Sequence, residues 1–527
     1  MRSLLPLPLL LVAVGCNSAG YKSAADTAGW ERDYADTGWG SEAPSDENDD
    51  DGDGPDYGSE VEDDFLKLQP ATTDRYVFVA NPARNTVSRV TVSDLSVVTV
   101  DVGENPTVVL TSADYSRAAT FNQTSDTVTV IEAESLDVTH VDVRENFNQM
   151  VMSPDSAWVV CYHDTDLEDD ESQDGVSSFN EISIVNLATK EHVPIVVGFN
   201  PRQVQFADDG SFVVVISDET LAVLDLAGGD PGASVEIVEV VDAASDAPTA
   251  EEVVILPSND YAFVRQYNVD DLVVVNLGTL EVGSVAAGLG LTDIDLSPDG
   301  SVAVAVARDE GALYLFDTER PYATPERVEL PAGEVIGALT FSPQGDKAIL
   351  YTSAAAEDRY HIWDLATDAI DTRSLPKPIE SLTVTPDGES LMIWHAQTDA
   401  AGADSSSSFY GAVEALSLID LDNPLRQNNL LLAAAPTAYA NSDDGTHGYF
   451  IMEGQEKLVA IHYAELVDYE VDLPSVPVHV GVIPDSLWAW ANQEHDLGRM
   501  SFYYPEADDE DAILQTITGF ELNSLID

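Results

Sequence analysis

The sequence predicts an all-β chain, a β-propeller of four-stranded antiparallel blades. Three observations carry that expectation. Ten times between residues 75 and 504 a β-rich apolar run follows a polar turn and usually closes on Asp, Asn or Glu, with copies starting at Thr86, Asp126, Glu181, Glu219, Asp271, Gly311, Arg359, Glu414, Lys457 and Gly498. Successive starts lie 38 to 55 residues apart, the spacing of a propeller blade rather than of a helical repeat. A turn of the type Ser-Pro-Asp-Gly recurs between the first two strands of a unit, at Ser153, Ala207, Ser297, Ser342, Thr385 and Ile483. In it Pro fixes φ, Asp bonds back to the backbone and Gly accepts positive φ.

Taken in order, the chain opens with Met-Arg-Ser-Leu-Leu-Pro-Leu-Pro-Leu-Leu-Leu-Val-Ala-Val-Gly-Cys. One Arg, a short apolar stretch and a small residue before Cys16 read as an export signal over residues 1–15, too short to span a bilayer. Ala13-Val14-Gly15-Cys16 resembles the lipobox of bacterial lipoproteins, although Ala13 stands where Leu is usual. The resemblance implies cleavage before Cys16, lipid on its thiol and a membrane as partner. Asn17 is not the Asp that tends to retain such proteins at the inner membrane, so the outer membrane is expected. The only other cysteine, Cys161, lies inside an expected strand and reads as an inert buried thiol.

Residues 16–64 form an acidic tether. From 17 to 64 there are sixteen Asp or Glu against Lys22 and Arg32, with almost no aliphatic residues. Such a stretch cannot bury enough apolar surface to offset its ordering entropy, so it is expected to be disordered, spanning on the order of 40 Å as a flexible coil. Inside it Asp49, Asp51, Asp53 and Glu60 fit a calcium-loop pattern with Gly54 at the tight turn. Pro55 and the lack of helical flanks favour a plain solvated charge run instead.

Residues 65–527 form the array. Its second unit shows the plan, with strands at Thr107 to Leu110, Arg117 to Phe121, Thr127 to Ile131 and Val138 to Val143, each alternating Val, Ile and Thr with polar residues. The first unit reads Tyr76-Val77-Phe78-Val79-Ala80-Asn81, then Asn85-Thr86-Val87-Ser88 and Val102-Gly103-Glu104-Asn105-Pro106. On these residues the array resembles the YVTN-type β-propeller repeat family, which usually has seven blades. Ten units leave one unusually wide ring, two smaller rings, or units that do not all form blades.

Formal charge is 22 − 95 = −73, which excludes nucleic acid and anionic lipid surfaces as partners and points to cationic ones. Within a propeller, the loops joining strands two and three and those joining successive blades share one face, around the channel. Two loops there are enlarged: one from His163 through Asp164, Asp166 and Asp169, the other from His395 through the Ser405 to Ser408 tract. The first offers a hard-cation site, with calcium as the one cofactor to consider. His163 and His395 both follow a second strand and could meet across the ring, or stand as separate loop histidines. Arg144, Arg202 and Arg308, with Asn81, Asn122, Gln266 and Asn492, complete a set that could face a small polar ligand or simply cap loop ends. Five tryptophans, Trp158, Trp363, Trp394, Trp488 and Trp490, read as core between blades.

No nucleophile elbow, phosphate loop or zinc spacing appears in the sequence. The expectation is therefore a non-catalytic envelope lipoprotein that uses its propeller as a binding scaffold. The alternatives are a propeller enzyme of lactonase-like or cofactor-dependent dehydrogenase-like type, and a calcium-dependent adhesive surface protein.

Overall fold

A computed structural model describes residues 71–163, 180–228, 231–241, 250–266, 269–395, 412–507 and 513–522. Forty strands form ten four-stranded antiparallel sheets, and every sheet is built from four strands consecutive in sequence. The chain is a ten-bladed β-propeller. The ten runs recognised in the sequence are the third strands of the ten blades, from Thr86–Thr91 in blade 1 to Arg499–Tyr503 in blade 10. In blade 2 the strands are Pro106–Thr111, Arg117–Asn122, Thr127–Glu132 and Val138–Asp142, within two residues of the sequence reading.

Burial follows position in the blade. Second and third strands are buried almost throughout, as in Trp158–Tyr162 and Thr127–Glu132. Fourth strands alternate toward solvent and carry charge on their free edge, such as Glu236 and Glu239 or Asp468, Glu470 and Asp472. Charge on an unpaired edge blocks pairing with another chain. First strands of neighbouring blades approach one another, which places them innermost. Their free edges are bonded sideways: Gln203 Oε1 of blade 4 accepts from Val253 N of blade 5 at 2.9 Å, and Asp293 Oδ2 of blade 6 accepts from Leu339 N of blade 7 at 2.8 Å.

Ten apolar clusters fill the spaces between blades, and each draws on two neighbouring blades. A row of ten would have nine such seams. The tenth joins Ile483, Trp490, Met500, Phe502, Ile517 and Phe520 of blade 10 to Val77, Val79, Val90 and Val92 of blade 1, so the array is a single closed ring. Among the described residues no strand is exchanged across this seam. A 3-10 turn, Phe520–Leu522, latches it: Phe520 O accepts from Ser88 Oγ and Thr99 Oγ1, each at 3.0 Å, and Arg84 pairs with Glu521 at 3.1 Å. Trp158, Trp363, Trp394 and Trp490 lie in seams as expected. Trp488 does not: it is 37% exposed beside a turn, edge-on to Tyr504 at 5.0 Å.

The turns between first and second strands close the ring face opposite the blade-to-blade connections. Asp155, in the turn at Ser153, accepts from Ser153 Oγ at 2.6 Å and Ala157 N at 3.0 Å, as the turn chemistry requires. Gly445 shows why one residue is glycine. Its φ is 68°, and a Cβ there would lie 2.4 Å from the backbone nitrogen of Asp387 in the preceding blade.

Candidate functional site

The other face gathers the loops between second and third strands with the connections between blades. Gln123 N donates to Asn105 O at 2.9 Å and Val102 N to Asn85 O at 2.9 Å, so the two sets of loops touch. This contact explains the Val-Gly-x-Asn-Pro segments. A Cβ on Gly103 would sit 2.4 Å from Ser125 Oγ and Thr127 Oγ1, and one on Gly198 2.0 Å from Thr220 Oγ1. At this end of the first strand a β-bulge recurs in seven blades, beginning at Pro106, Pro201, Ala250, Leu291, Ile379, Pro436 and Pro477. Bulges bend a strand and re-aim its side chains. The bulged residues, Arg202, Glu251 and Glu380 among them, therefore stand at the channel mouth.

Just outside the mouth, a polar row crosses the blade from second to fourth strand. In blade 8 it is His395, Ser417 and Asn429. His395 Nδ1 lies 3.0 Å from Pro378 O; a carbonyl can only accept, so Nδ1 carries the proton and Nε2, 2.7 Å from Ser417 Oγ, accepts from the hydroxyl. Asn429 Oδ1 lies 2.6 Å from Ser417 Oγ as a second acceptor for the same hydroxyl proton. A Ser-His contact of this length is also the geometry of a nucleophile and its base. Here His395 is 1% exposed and Ser417 0%.

The row is moreover repeated. Blade 2 has Asn122, Thr129 and His140, with contacts of 2.9 Å each. Blade 3 pairs Ser183 with His192 at 2.9 Å, and blade 7 pairs His361 with Thr372 at 3.0 Å. Blades 1 and 10 do without histidine, using Asn81, Ser88 and Thr99, and Gln493, Ser501 and Thr516. Most of these rows also hold backbone. In blades 3, 5, 8 and 10 polar residues at this level reach the connection arriving from the preceding blade: Asn146 O from His163 and Arg144 N to Ser183, Val240 O from Gln266, Pro378 O from His395, Ser475 N to Gln493. Burial pulls His361 and His395 down to about 4, which keeps them neutral hydrogen-bonding groups at neutral pH.

The residues singled out in the sequence fall as follows. His163 and His395 occupy the same position in blades 3 and 8, five blades apart in a ring of ten, so they do not meet. Neither is a solvated loop histidine, being 3% and 1% exposed. Arg202 is held by Asp218 at 2.6 Å, which also accepts from Asn200. Arg144 pairs with Glu181 at 3.1 Å, and Arg308 ties the connection through its backbone N–H to Gly290 O. Asn81, Asn122 and Gln266 cap loop ends. Cys161 is fully buried, and burial pushes its thiol far up. Asp164, Asp166, Asp169, Asp49, Asp51, Asp53, Glu60 and Cys16 lie outside the described residues. Among the described residues no three His, Cys, Asp or Glu side chains converge as a metal site.

Comparison with known proteins yields the fold. No family model matches the chain, and no curated protein matches its sequence. Solved structures do. One is a eukaryotic initiation factor, 11% identical, covering 74% of this chain and 95% of that one at a TM-score of 0.50. Another is the dihydro-heme d1 dehydrogenase NirN in complex with DHE, 14% identical, covering 69% of this chain and 74% of that one at 0.44. At such identities the likeness is one of propeller architecture alone.

Besides the polar rows, a buried lysine escaped the sequence reading. Lys377, between Pro376 and Pro378 in the connection to blade 8, is only 2% exposed and donates from Nζ to Val413 O. Burial draws its pKa below the ordinary lysine range, opposed by Glu414 and Glu380. With neutral His395 on the adjoining Pro378 carbonyl, it makes the connection into blade 8 dense in buried polar groups. Its only sequence signal was a lysine set between prolines in a lysine-poor chain.

Proposed function

We propose that this chain is a non-catalytic binding scaffold of the cell envelope, held through lipid on Cys16 by the acidic tether and offering its channel-mouth face to a cationic or protein partner. The observation that carries the reading is the contrast between the two faces. Turns between first and second strands repeat a single design on one face, whereas the other face holds the recurring bulges and the anchor residues of the enlarged segments after His163 and His395. Variation on a rigid scaffold marks where recognition is carried. The Ser-His contacts, which would favour an enzyme, are spent on backbone groups of the connections.

Site-specific photo-crosslinking in cells tests the scaffold. A crosslinker at Leu289 on the channel-mouth face is expected to give discrete adducts, and one at Asp299 on the turn face none. Equal labelling at both, or none at either, sinks it. The anchor is tested separately: Cys16→Ala is expected to abolish fatty-acid labelling and move the protein from membrane to soluble fractions, and an unchanged membrane fraction overturns that part.

A further inference from the structure

We propose that His447 and His462 form a seat for one borderline divalent transition metal, of the class of Cu2+, Ni2+ or Zn2+, on the turn face of blade 9 toward blade 10. The two residues begin the second strand and end the third strand of blade 9 and are direct partners in the antiparallel register. Side chains so paired leave the sheet on one face with Cβ atoms about 5 Å apart. Their rings approach to 4.9 Å between centroids at 62°, close enough for two imidazoles to meet one ion.

The hydrogen bonding around them suits ligands rather than the polar rows of the opposite face. Thr446 Oγ1 donates to Asp444 Oδ1 at 2.8 Å, so its proton is committed and it accepts from His447 Nδ1, also at 2.8 Å. That chain fixes the tautomer and leaves Nε2 of His447 with its lone pair, the arrangement by which outer carboxylates orient metal-binding histidines. His462 Nδ1 is buried with no hydrogen-bond partner, and Glu465 Oε2 stands 3.9 Å away. Two imidazole nitrogens select against the hard cations Ca2+ and Mg2+ and follow the order Zn2+ below Cu2+. The other coordination positions fall to water, since among the described residues no third ligand converges.

The test is calorimetric titration of Cu2+ into the full chain at physiological salt with excess Mg2+ to occupy surface carboxylates. One equivalent is expected, weakened by at least roughly tenfold in His447→Gln and in His462→Gln, and by about tenfold in Thr446→Val, which keeps both ligands. Electron paramagnetic resonance of the wild-type Cu2+ complex should show coupling to two imidazole nitrogens, a readout independent of how the variants fold. Identical isotherms in wild type and both histidine variants, or a wild-type spectrum without nitrogen coupling, overturns the proposal.

Discussion

Nine seams of the ring join blades that the chain also connects covalently, and the tenth joins blades 10 and 1, which it does not. The apolar content is of one kind in both: Val, Ile and aromatic side chains from two facing sheets. What differs is how a separated seam re-forms. At a connected seam the linker keeps the two blades together, so an opened interface closes again at high effective concentration. The closing seam has neither linker nor shared strand and depends on packing plus the turn at Phe520–Leu522. The comparison teaches that one short turn bears on the integrity of the whole array.

The largest test removes that turn. Deleting residues from Gly519 onward should open the ring, seen as a larger hydrodynamic radius and loss of a single cooperative melt. Unchanged radius and melting would show that the seam packs without its latch. Next, Phe520→Ala and Phe263→Ala delete equally buried rings at the closing seam and at a connected seam. Each should cost about 3–5 kcal/mol in denaturant melts. Only the first should speed hydrogen exchange in blades 1 and 10 selectively; uniform acceleration in both would erase the distinction.

His395→Leu strands Pro378 O and Ser417 at a connected seam and should cost about 2–3 kcal/mol, with His395→Gln recovering part of it. Acid sharpens the same contrast. His361, His395 and His479 are pulled down to about 4 by burial, so the unfolded chain takes up their protons first. Stability they contribute is full above about 6.5 and is lost as pH falls toward 4. Exchange should rise across that window in blades 7, 8 and 10 before blade 1, whose row of Asn81, Ser88 and Thr99 has no histidine; simultaneous loosening would refute this. Smallest is Arg84→Ala, which breaks a partly exposed pair with Glu521 and should cost under about 1 kcal/mol, less in high salt.

Much of the fold was legible because a blade writes itself locally. A third strand must alternate apolar residues, and the turn before a second strand must supply positive φ, so both leave marks within a dozen residues. Whether ten units make one ring was not legible, since that is decided by Ser88 meeting Phe520, 432 residues away, with no strand shared. The polar rows were hidden for a related reason. His395, Ser417 and Asn429 belong to three strands and align only once register is set. The same holds for the separation of His163 from His395, a matter of counting blades around a circle. Trp488 misled because it follows a turn by two residues and sits just outside the strand Ala489–Gln493.

Each sheet is drawn from one continuous stretch of chain, and this sets an order of events. A blade can form as soon as its own four strands have emerged, and each new blade lays its apolar face on the one before it, so growth is stepwise and local in sequence. Blade 1 is the exception. Its outward apolar face, with Val77, Val79, Val90 and Val92, has nothing to cover it until blade 10 arrives. Every intermediate from one blade to nine is thus an open spiral with a sticky leading edge. Only the last step of assembly hides the first blade's surface.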